Sequence, residues 1–416
     1  MPDGFVKSTN FKAHKSRAIS RNCITSQWHG DEVQLGNWAF DEAVKKSPGL
    51  YIHIPFCRSK CPYCGFYSIP SASMTKRWIK AFKAEVSLYK GVFKRFDSLY
   101  LGGGTPTYLD PEDLGDIVQF LFRHLDFSSD SEITIEANPG DLTADKTGII
   151  KDLGFNRVSL GVQSFDDRIL SYLGRMHTAG DSEKALEDLR LCGFENIGLD
   201  LIYGFPEQSI KEWDSAINRA LEFNPEHISC YQLTIEKGTA FERMKEKGTF
   251  KPMNENEEFK YFMKASNILE DKGYLHYEIS NFARDECHIS RHNSKYWHHV
   301  PYLGLGPSAH SFNGTSRWWN FSSVRKYCEA LEAGRLPSEE YETLTAEQVR
   351  LESISLGLRN IRGFDRGITA NEREANEILL MARNHGLVSF TGSRVIPTRK
   401  GFAVADRLAG QLCSSF

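Results

Sequence analysis

The chain is short of net charge. Its 51 Lys and Arg nearly balance 54 Asp and Glu over 416 residues, for a formal net charge of -3. Such a surface lacks the cationic excess that bulk nucleic-acid binding draws on, so no nucleic acid is expected as a partner. No apolar run approaches the ~18 residues of a membrane span, which argues against stable membrane insertion. Repeats and low-complexity tracts are also missing, and no apolar signal-peptide core opens the chain. Nine cysteines, an odd number in a long chain, do not suit a secreted disulfide scaffold. What remains is an ordinary globular composition, 40% apolar and 25% charged. At roughly 100–200 residues per domain, the length allows about two to four domains. The expectation is a soluble protein of a reducing, cytoplasmic compartment.

Residues 1–48 differ from the rest. Up to residue 21 they carry Lys7, Lys12, Lys15, Arg17 and Arg21 against Asp3 alone. This reads as a partly disordered extension; a mitochondrial targeting peptide is the alternative, since such segments are basic and acid-poor. Trp28, Trp38 and Phe40 are expected to pack residues 28–48 onto the body.

From residue 49 a strand–helix alternation begins. Short β-rich runs fall at Gly49–Ile54, Ser98–Leu101, Glu132–Ala137, Arg157–Val162, Ile197–Tyr203 and His227–Leu233. Helical patterns between them include Met74–Tyr89, Pro111–Leu125, Asp181–Leu191 and Ile210–Phe223. The strands are short and nearly continuously apolar, as in a parallel sheet covered on both faces. Six such units predict an α/β fold over residues 49–240, either an open (β/α)6 barrel or a doubly wound sheet. Gly-rich and polar residues cluster at the strand C-termini, where parallel α/β folds build their sites. Residues 241–340 form a further α+β extension, with a helix at Glu255–Lys272, a strand-like stretch at Tyr274–Ala283 and a Gly-, His- and aromatic-rich region at Arg291–Asn320. Residues 341–416 read as two helices, two β runs (Leu387–Phe390 and Ser393–Pro397) and a helix at Lys400–Gln411, the order of a small winged-helix module with a structural role.

Six cysteines are scattered: Cys23, Cys192, Cys230, Cys287, Cys328 and Cys413. Cys57, Cys61 and Cys64 instead follow the first strand with C-x3-C-x2-C spacing. Three thiolates on one loop can hold three irons of a cubane cluster, whereas structural zinc usually takes four ligands and a ferredoxin gives its fourth iron a cysteine too. No fourth cysteine follows nearby, so one iron is left open to an amine and a carboxylate. S-adenosylmethionine (SAM) offers both. Chelated there, it can be cleaved by one electron to methionine and a 5′-deoxyadenosyl radical. Buried thiols or a zinc knuckle are the alternative.

The cluster loop resembles that of the radical SAM superfamily. Its flanks resemble the branch containing oxygen-independent coproporphyrinogen III oxidase and the HemW-type heme chaperones, from about Tyr51 to the C-terminus. The resemblance implies a partial (β/α)6 radical SAM barrel with a C-terminal α+β extension. It implies a [4Fe-4S] cluster on Cys57, Cys61 and Cys64. It also implies a SAM pocket: Tyr51 near SAM; Gly103, Gly104 and Thr105 of the Gly102-Gly103-Gly104-Thr105-Pro106 motif at the methionyl amine; Glu136 and Asp200 on the ribose; Gln163; and Arg175 on the methionyl carboxylate, a task suited to its forked guanidinium.

Two features select the sub-branch. Phe66 stands where the oxidases place one more cysteine. His292-Asn293-x-x-Tyr296-Trp297 matches the H-N-x-x-Y-W signature of the HemW type, as do Tyr277–Ala283 and Tyr302–Ser311. The resemblance therefore implies heme as a further cofactor, with His292 as its candidate ligand and His298 and His299 behind it; the alternative is that His292 and His310 are structural histidines. Heme or porphyrin ligand, apo-hemoprotein acceptors and a flavodoxin- or ferredoxin-type electron donor are the implied partners. Coproporphyrinogen dehydrogenase activity and anaerobic heme-degrading methyl transfer remain alternatives, so whether the protein is an enzyme stays open. One departure is the roughly 50 residues before the cluster, longer than HemW-type chains usually have.

Overall fold

A computed structural model describes residues 47–370 and 372–415, together with the backbone of two short paired strands, β1 (Gln27–His29) and β2 (Glu32–Gln34). Of the expected extension over residues 1–48, residues 1–26, 30–31 and 35–46 lie outside the described residues, as does the packing of Trp28, Trp38 and Phe40.

Six strands follow: β3 (Gly49–Ile54), β4 (Phe96–Gly103), β5 (Phe127–Ala137), β6 (Arg157–Gln163), β7 (Ile197–Tyr203) and β8 (His227–Gln232). They pair in parallel in unbroken chain order. A doubly wound sheet reverses its strand order part-way; this one does not, so the arrangement is the partial barrel. Along β3 the residues alternate. Leu50, Ile52 and Ile54 are fully buried in the outer core, while Tyr51 and His53 take the opposite face. The helix Thr75–Leu88 meets that core with Trp78, Phe82 and Val86, spaced four apart on one side. Each fully buried apolar side chain of this kind contributes about 1.5–3 kcal/mol. Helix starts are locally encoded: Thr178 with Asp181, and Ser209 with Glu212, form reciprocal capping boxes.

The extension widens the sheet at both edges. A hairpin of β9 (Leu275–His276) and β10 (Asn281–Ala283) pairs antiparallel with β8. At the other edge β11 (Tyr302–Leu305) lies parallel to β3, followed antiparallel by β12 (His310–Phe312), β13 (Ser316–Asn320) and β14 (Ser338–Thr343). The result is a twelve-stranded sheet. The single strand expected over Tyr274–Ala283 is thus a tight hairpin, because the Tyr277 amide donates to Asn281 O at 3.2 Å and the Ser280 amide to the Glu278 carboxylate at 3.3 Å. Strand β14 had no apolar signal because it is a largely exposed edge strand.

The tail carries a three-stranded sheet of β15 (Phe364–Asp365), β16 (Val388–Thr391) and β17 (Arg394–Pro397). The helix expected at Lys400–Gln411 is broken into Arg399–Phe402 and Ala405–Cys413. The reason is packing: Phe402 joins a core with Tyr277 and Ile289, whereas Leu408 and Leu412 join another with Ile354 and Leu379. One continuous helix does not serve both.

Candidate functional site

The cluster loop leaves β3 and is tied down at its base. The Cys57 amide donates to Ile69 O at 3.1 Å and the Ile69 amide to Pro55 O at 2.8 Å, closing the loop. The glycine motif at the end of β4 lies directly against it. The Gly104 amide reaches Ile54 O and the Thr105 amide reaches Phe56 O, both at 2.8 Å. Gly104 cannot carry a side chain: a Cβ there would sit 2.6 Å from Phe56 O. Gly103 adopts φ of 104°, a region that favours glycine, and a Cβ there would meet the His53 ring at 2.6 Å. Thr105 Oγ1 stands 3.4 Å from Cys57 Sγ. The motif therefore props the cysteine loop, a packing role that its spacing did not disclose.

Cys57, Cys61 and Cys64 share this loop and are half-buried. Among the described residues no three His, Cys, Asp or Glu converge on one metal ion. Burial raises the Cys64 thiol pKa.

Beside the loop opens a cavity of about 670 Å3 at the C-terminal ends of the strands. Cys64, Gly103, Gly104, Thr105, Glu136 and Gln163 line it, with Arg175 and Asp200. Glu136 accepts from the Tyr100 hydroxyl at 2.9 Å and the Gly103 amide at 3.2 Å. Burial, with Asp200 adding to it, pushes its pKa up to about 7. Asp200 is likewise raised by burial and accepts from Ser159 at 3.1 Å. Two desolvated carboxylates facing one cavity are a set of acceptors for hydroxyl donors or a cation. Arg175 donates from Nη2 to Gly161 O at 3.0 Å, and its Nη1 stands 3.6 Å from Cys61 Sγ. Its Nε is buried with no hydrogen-bond partner among the described residues. An orphaned guanidinium nitrogen beside a cluster thiol fits a ligand carboxylate. Gln163 holds φ of 65°, costly for a non-glycine residue. Gly161 gives it room, since a Cβ there would lie 2.8 Å from its Nε2. The donor set fits SAM bound across this cavity.

Tyr51 does not line the cavity. Its hydroxyl meets His53 Nδ1 at 3.2 Å, and its ring packs 6.2 Å from Tyr100 and 6.3 Å from His292. It stands behind Tyr100, which holds Glu136. Sequence reasoning missed Tyr100; the inward alternation Tyr51–His53 on β3, repeated by Tyr100–Gly102 on β4, carries the signal.

The H-N-x-x-Y-W segment is the short helix Arg291–Trp297. It packs against the opposite end of the barrel, near the start of β4, and supplies the cavity floor through Asn293 and Ser290. Glu132 caps it, accepting from the Arg291 and His292 amides at 2.9 Å each. Lys295 is fully buried against Asp97, with Nζ 2.6 Å from the carboxylate. His292 is also fully buried. Its Nδ1 meets Ser98 Oγ at 3.0 Å and its Nε2 meets Tyr296 OH at 2.9 Å. Burial lowers its pKa to about 3, so it is neutral. Both ring nitrogens are occupied and no face is open to a macrocycle. The expectation of His292 as heme ligand is corrected accordingly: it braces Tyr51 and Tyr100. His298 and His299 end this helix, and His299 takes φ of 51° with its Nε2 3.9 Å from Glu352. His310 is exposed on β12.

Residues 51–220 match the model of the Radical SAM superfamily. The heme chaperone HemW of Bacillus subtilis (strain 168) is 34% identical over 371 residues, covering 86% of this chain and 97% of that protein. The chain belongs to the HemW-type radical SAM family. Heme chaperone HemW of Mycobacterium tuberculosis (strain CDC 1551 / Oshkosh) is 32% identical over 373 residues, 88% of this chain and 94% of that protein. Among solved structures, coproporphyrinogen III oxidase (HemN) from Escherichia coli superposes with a TM-score of 0.77 at 23% identity, covering 92% of this chain and 94% of that one. That likeness establishes the shared fold. Membership in the radical SAM superfamily implies a [4Fe-4S] cluster and SAM. No described helix is long and apolar enough to cross a membrane.

Proposed function

We propose that this protein is a radical SAM heme chaperone, which binds heme and passes it to apo-hemoproteins. The observation that carries the reading is its resemblance, along nearly their whole length, to proteins bearing that name. Phe66 supports it: 69% exposed at the cavity rim, it stands where the oxidase pattern has a further cysteine.

In this reading Cys57, Cys61 and Cys64 each hold one iron. Arg175 pairs the methionyl carboxylate through its orphaned Nε. Glu136 and Asp200 accept from the ribose hydroxyls, Gln163 adds a polar contact, and the Gly103–Thr105 backbone faces the methionyl amine. When bound, the cluster and SAM supply one-electron chemistry that amino-acid side chains cannot. The protein's own part is to desolvate the pocket, orient the ligand with fixed dipoles, and hold Glu136 through Tyr100.

The second reading, coproporphyrinogen oxidase, rests on the shared fold. Anaerobic reconstitution followed by parallel assays separates the two. The chaperone binds hemin stoichiometrically and releases it to an apo-hemoprotein. Protoporphyrinogen formed at catalytic turnover, with SAM and a reductant, overturns the chaperone reading. We further infer a cytoplasmic location, a flavodoxin- or ferredoxin-type donor, a division at residues 49–240, 241–340 and 341–416, and a structural winged-helix-like role for the tail.

A further inference from the structure

With His292 sealed, an accessible imidazole elsewhere is the natural candidate for the iron if the protein binds heme. His53, His177, His227, His276 and His292 are all buried. His288 is paired with Asp285 at 2.8 Å. His124 lies on an outer helix with Nδ1 on Phe120 O, and His385 ends another helix. His298 and His299 are half-buried, the latter with its Nε2 3.9 Å from Glu352. His310 differs from these in place and setting. It is exposed, and its ring stacks on Trp319 with centroids 5.4 Å apart and planes 26° apart.

Strand register fixes which way it faces. Gly304 pairs with Tyr51, Tyr302 with Phe312, Phe312 with Arg317 and His310 with Trp319. Directly paired residues share a face of the sheet. His310 and Trp319 therefore lie on the face of Tyr51 and His53, the face that leads to the cavity rather than to the helices. His310 is close enough to His53 that protonation of the one would disfavour protonation of the other. His53 in turn binds Tyr67 O of the cluster loop through Nε2, at 2.8 Å. The imidazole thus sits at the shoulder of the cluster loop.

The turn that presents it is held rigidly. Gly306 has φ of 99° and Ser308 φ of 63°, the latter unfavourable for a residue with a Cβ. The fully buried Glu85 accepts from the Gly306 amide at 2.9 Å, from Asn320 Nδ2 at 2.6 Å and from the Tyr327 hydroxyl at 2.5 Å. The Ser308 amide donates to Phe321 O at 3.0 Å. A strained turn pinned by a buried carboxylate network, ending in an exposed imidazole seated on an indole, is more structure than a surface hairpin requires. Partial desolvation by its neighbours, with the Arg317 charge adding to it, keeps the imidazole pKa below its usual value, which favours the neutral ring.

We propose that His310, seated on Trp319, is the protein ligand to heme iron, and that the face of β11–β13 beside the cluster loop is the heme-docking surface. The proposal rests on the heme-chaperone reading. Trp319, stacked on the ring, would fix the imidazole plane.

The test is anaerobic hemin titration of the full, reconstituted chain, followed by its Soret band and by resonance Raman. Wild type is expected to give a one-to-one complex with an imidazole-ligated spectrum. His310→Ala should weaken binding about tenfold or more and shift the band, with added imidazole restoring it. His310→Tyr should convert the spectrum to a phenolate type. His292→Gln, if folded with its cluster, should keep the wild-type spectrum. A His310→Ala protein with unchanged spectrum and affinity overturns the ligand assignment, as does a folded His292→Gln protein that loses the imidazole signature. Failure of wild type to bind hemin overturns the chaperone reading itself, a different result from either.

Discussion

Replacing Glu136 by Gln should make the protein more stable and less able to bind SAM. The carboxyl is buried, and its pKa stands near 7 rather than the ordinary 4.5, with burial the main cause. At ~1.4 kcal/mol per pH unit, that gap corresponds to about 3 kcal/mol at full ionisation. The sign follows from linkage. In the folded protein the pKa is raised, so between pH 4.5 and about 7 the folded state binds more protons than the unfolded one. Stability is therefore complete below pH 4.5 and is lost as pH rises through about 7. Glutamine cannot ionise; its one oxygen can accept from the Gly103 amide while its Nε2 donates to the Tyr100 hydroxyl, the arrangement that the neutral acid also takes. Apo Glu136→Gln and wild type should thus unfold at similar denaturant concentrations near pH 4.5, with the variant gaining up to about 3 kcal/mol by pH 8.5. SAM affinity, read by calorimetry on the reconstituted protein, should fall, since a neutral amide accepts ribose hydroxyls less strongly. Equal stability of the two proteins at pH 8.5, or a variant that is less stable there, refutes the argument that this carboxylate is held ionised at a cost for its ligand.

Cys57→Ala, Cys61→Ala and Cys64→Ala should each abolish the cluster, measured as iron and sulfide after reconstitution; about four of each are expected in wild type, and full retention in all three refutes the ligand set. Arg175→Met should weaken SAM binding about tenfold or more while leaving iron content intact, because a buried carboxylate would lose its charged fork. Lys295→Met should destabilise the fold by about 3–5 kcal/mol in denaturant titrations, since it strands the buried Asp97 carboxylate; an unchanged midpoint sinks the claim that this pair anchors the cavity floor. Gly104→Ala should lower cluster occupancy with the three cysteines present, because its Cβ would press on Phe56 O.

The parts that the sequence disclosed are those set by local chemistry. Short apolar runs placed β3 at Gly49–Ile54 and β7 at Ile197–Tyr203, and helical periodicity placed the helices between such strands. The spacing of Cys57, Cys61 and Cys64 and the polar residues at strand ends marked the site, since parallel strands bring their C-termini to one edge whatever the loops do. Less legible were elements whose reason lies elsewhere in the chain. Strand β14 is polar because it is an edge, and the break at Ala403–Val404 exists because its two halves pack into different cores.

By itself, then, the sequence determined which chemistry the chain can host, because ligand type and spacing along one loop are covalent facts. Tertiary structure alone decided which histidine is available. His292 and His310 look equivalent as letters in two motifs. Folding seals the first between Ser98 and Tyr296 and leaves the second exposed on Trp319. Accessibility and hydrogen-bond saturation depend on residues up to 194 positions away, and no local pattern encodes them.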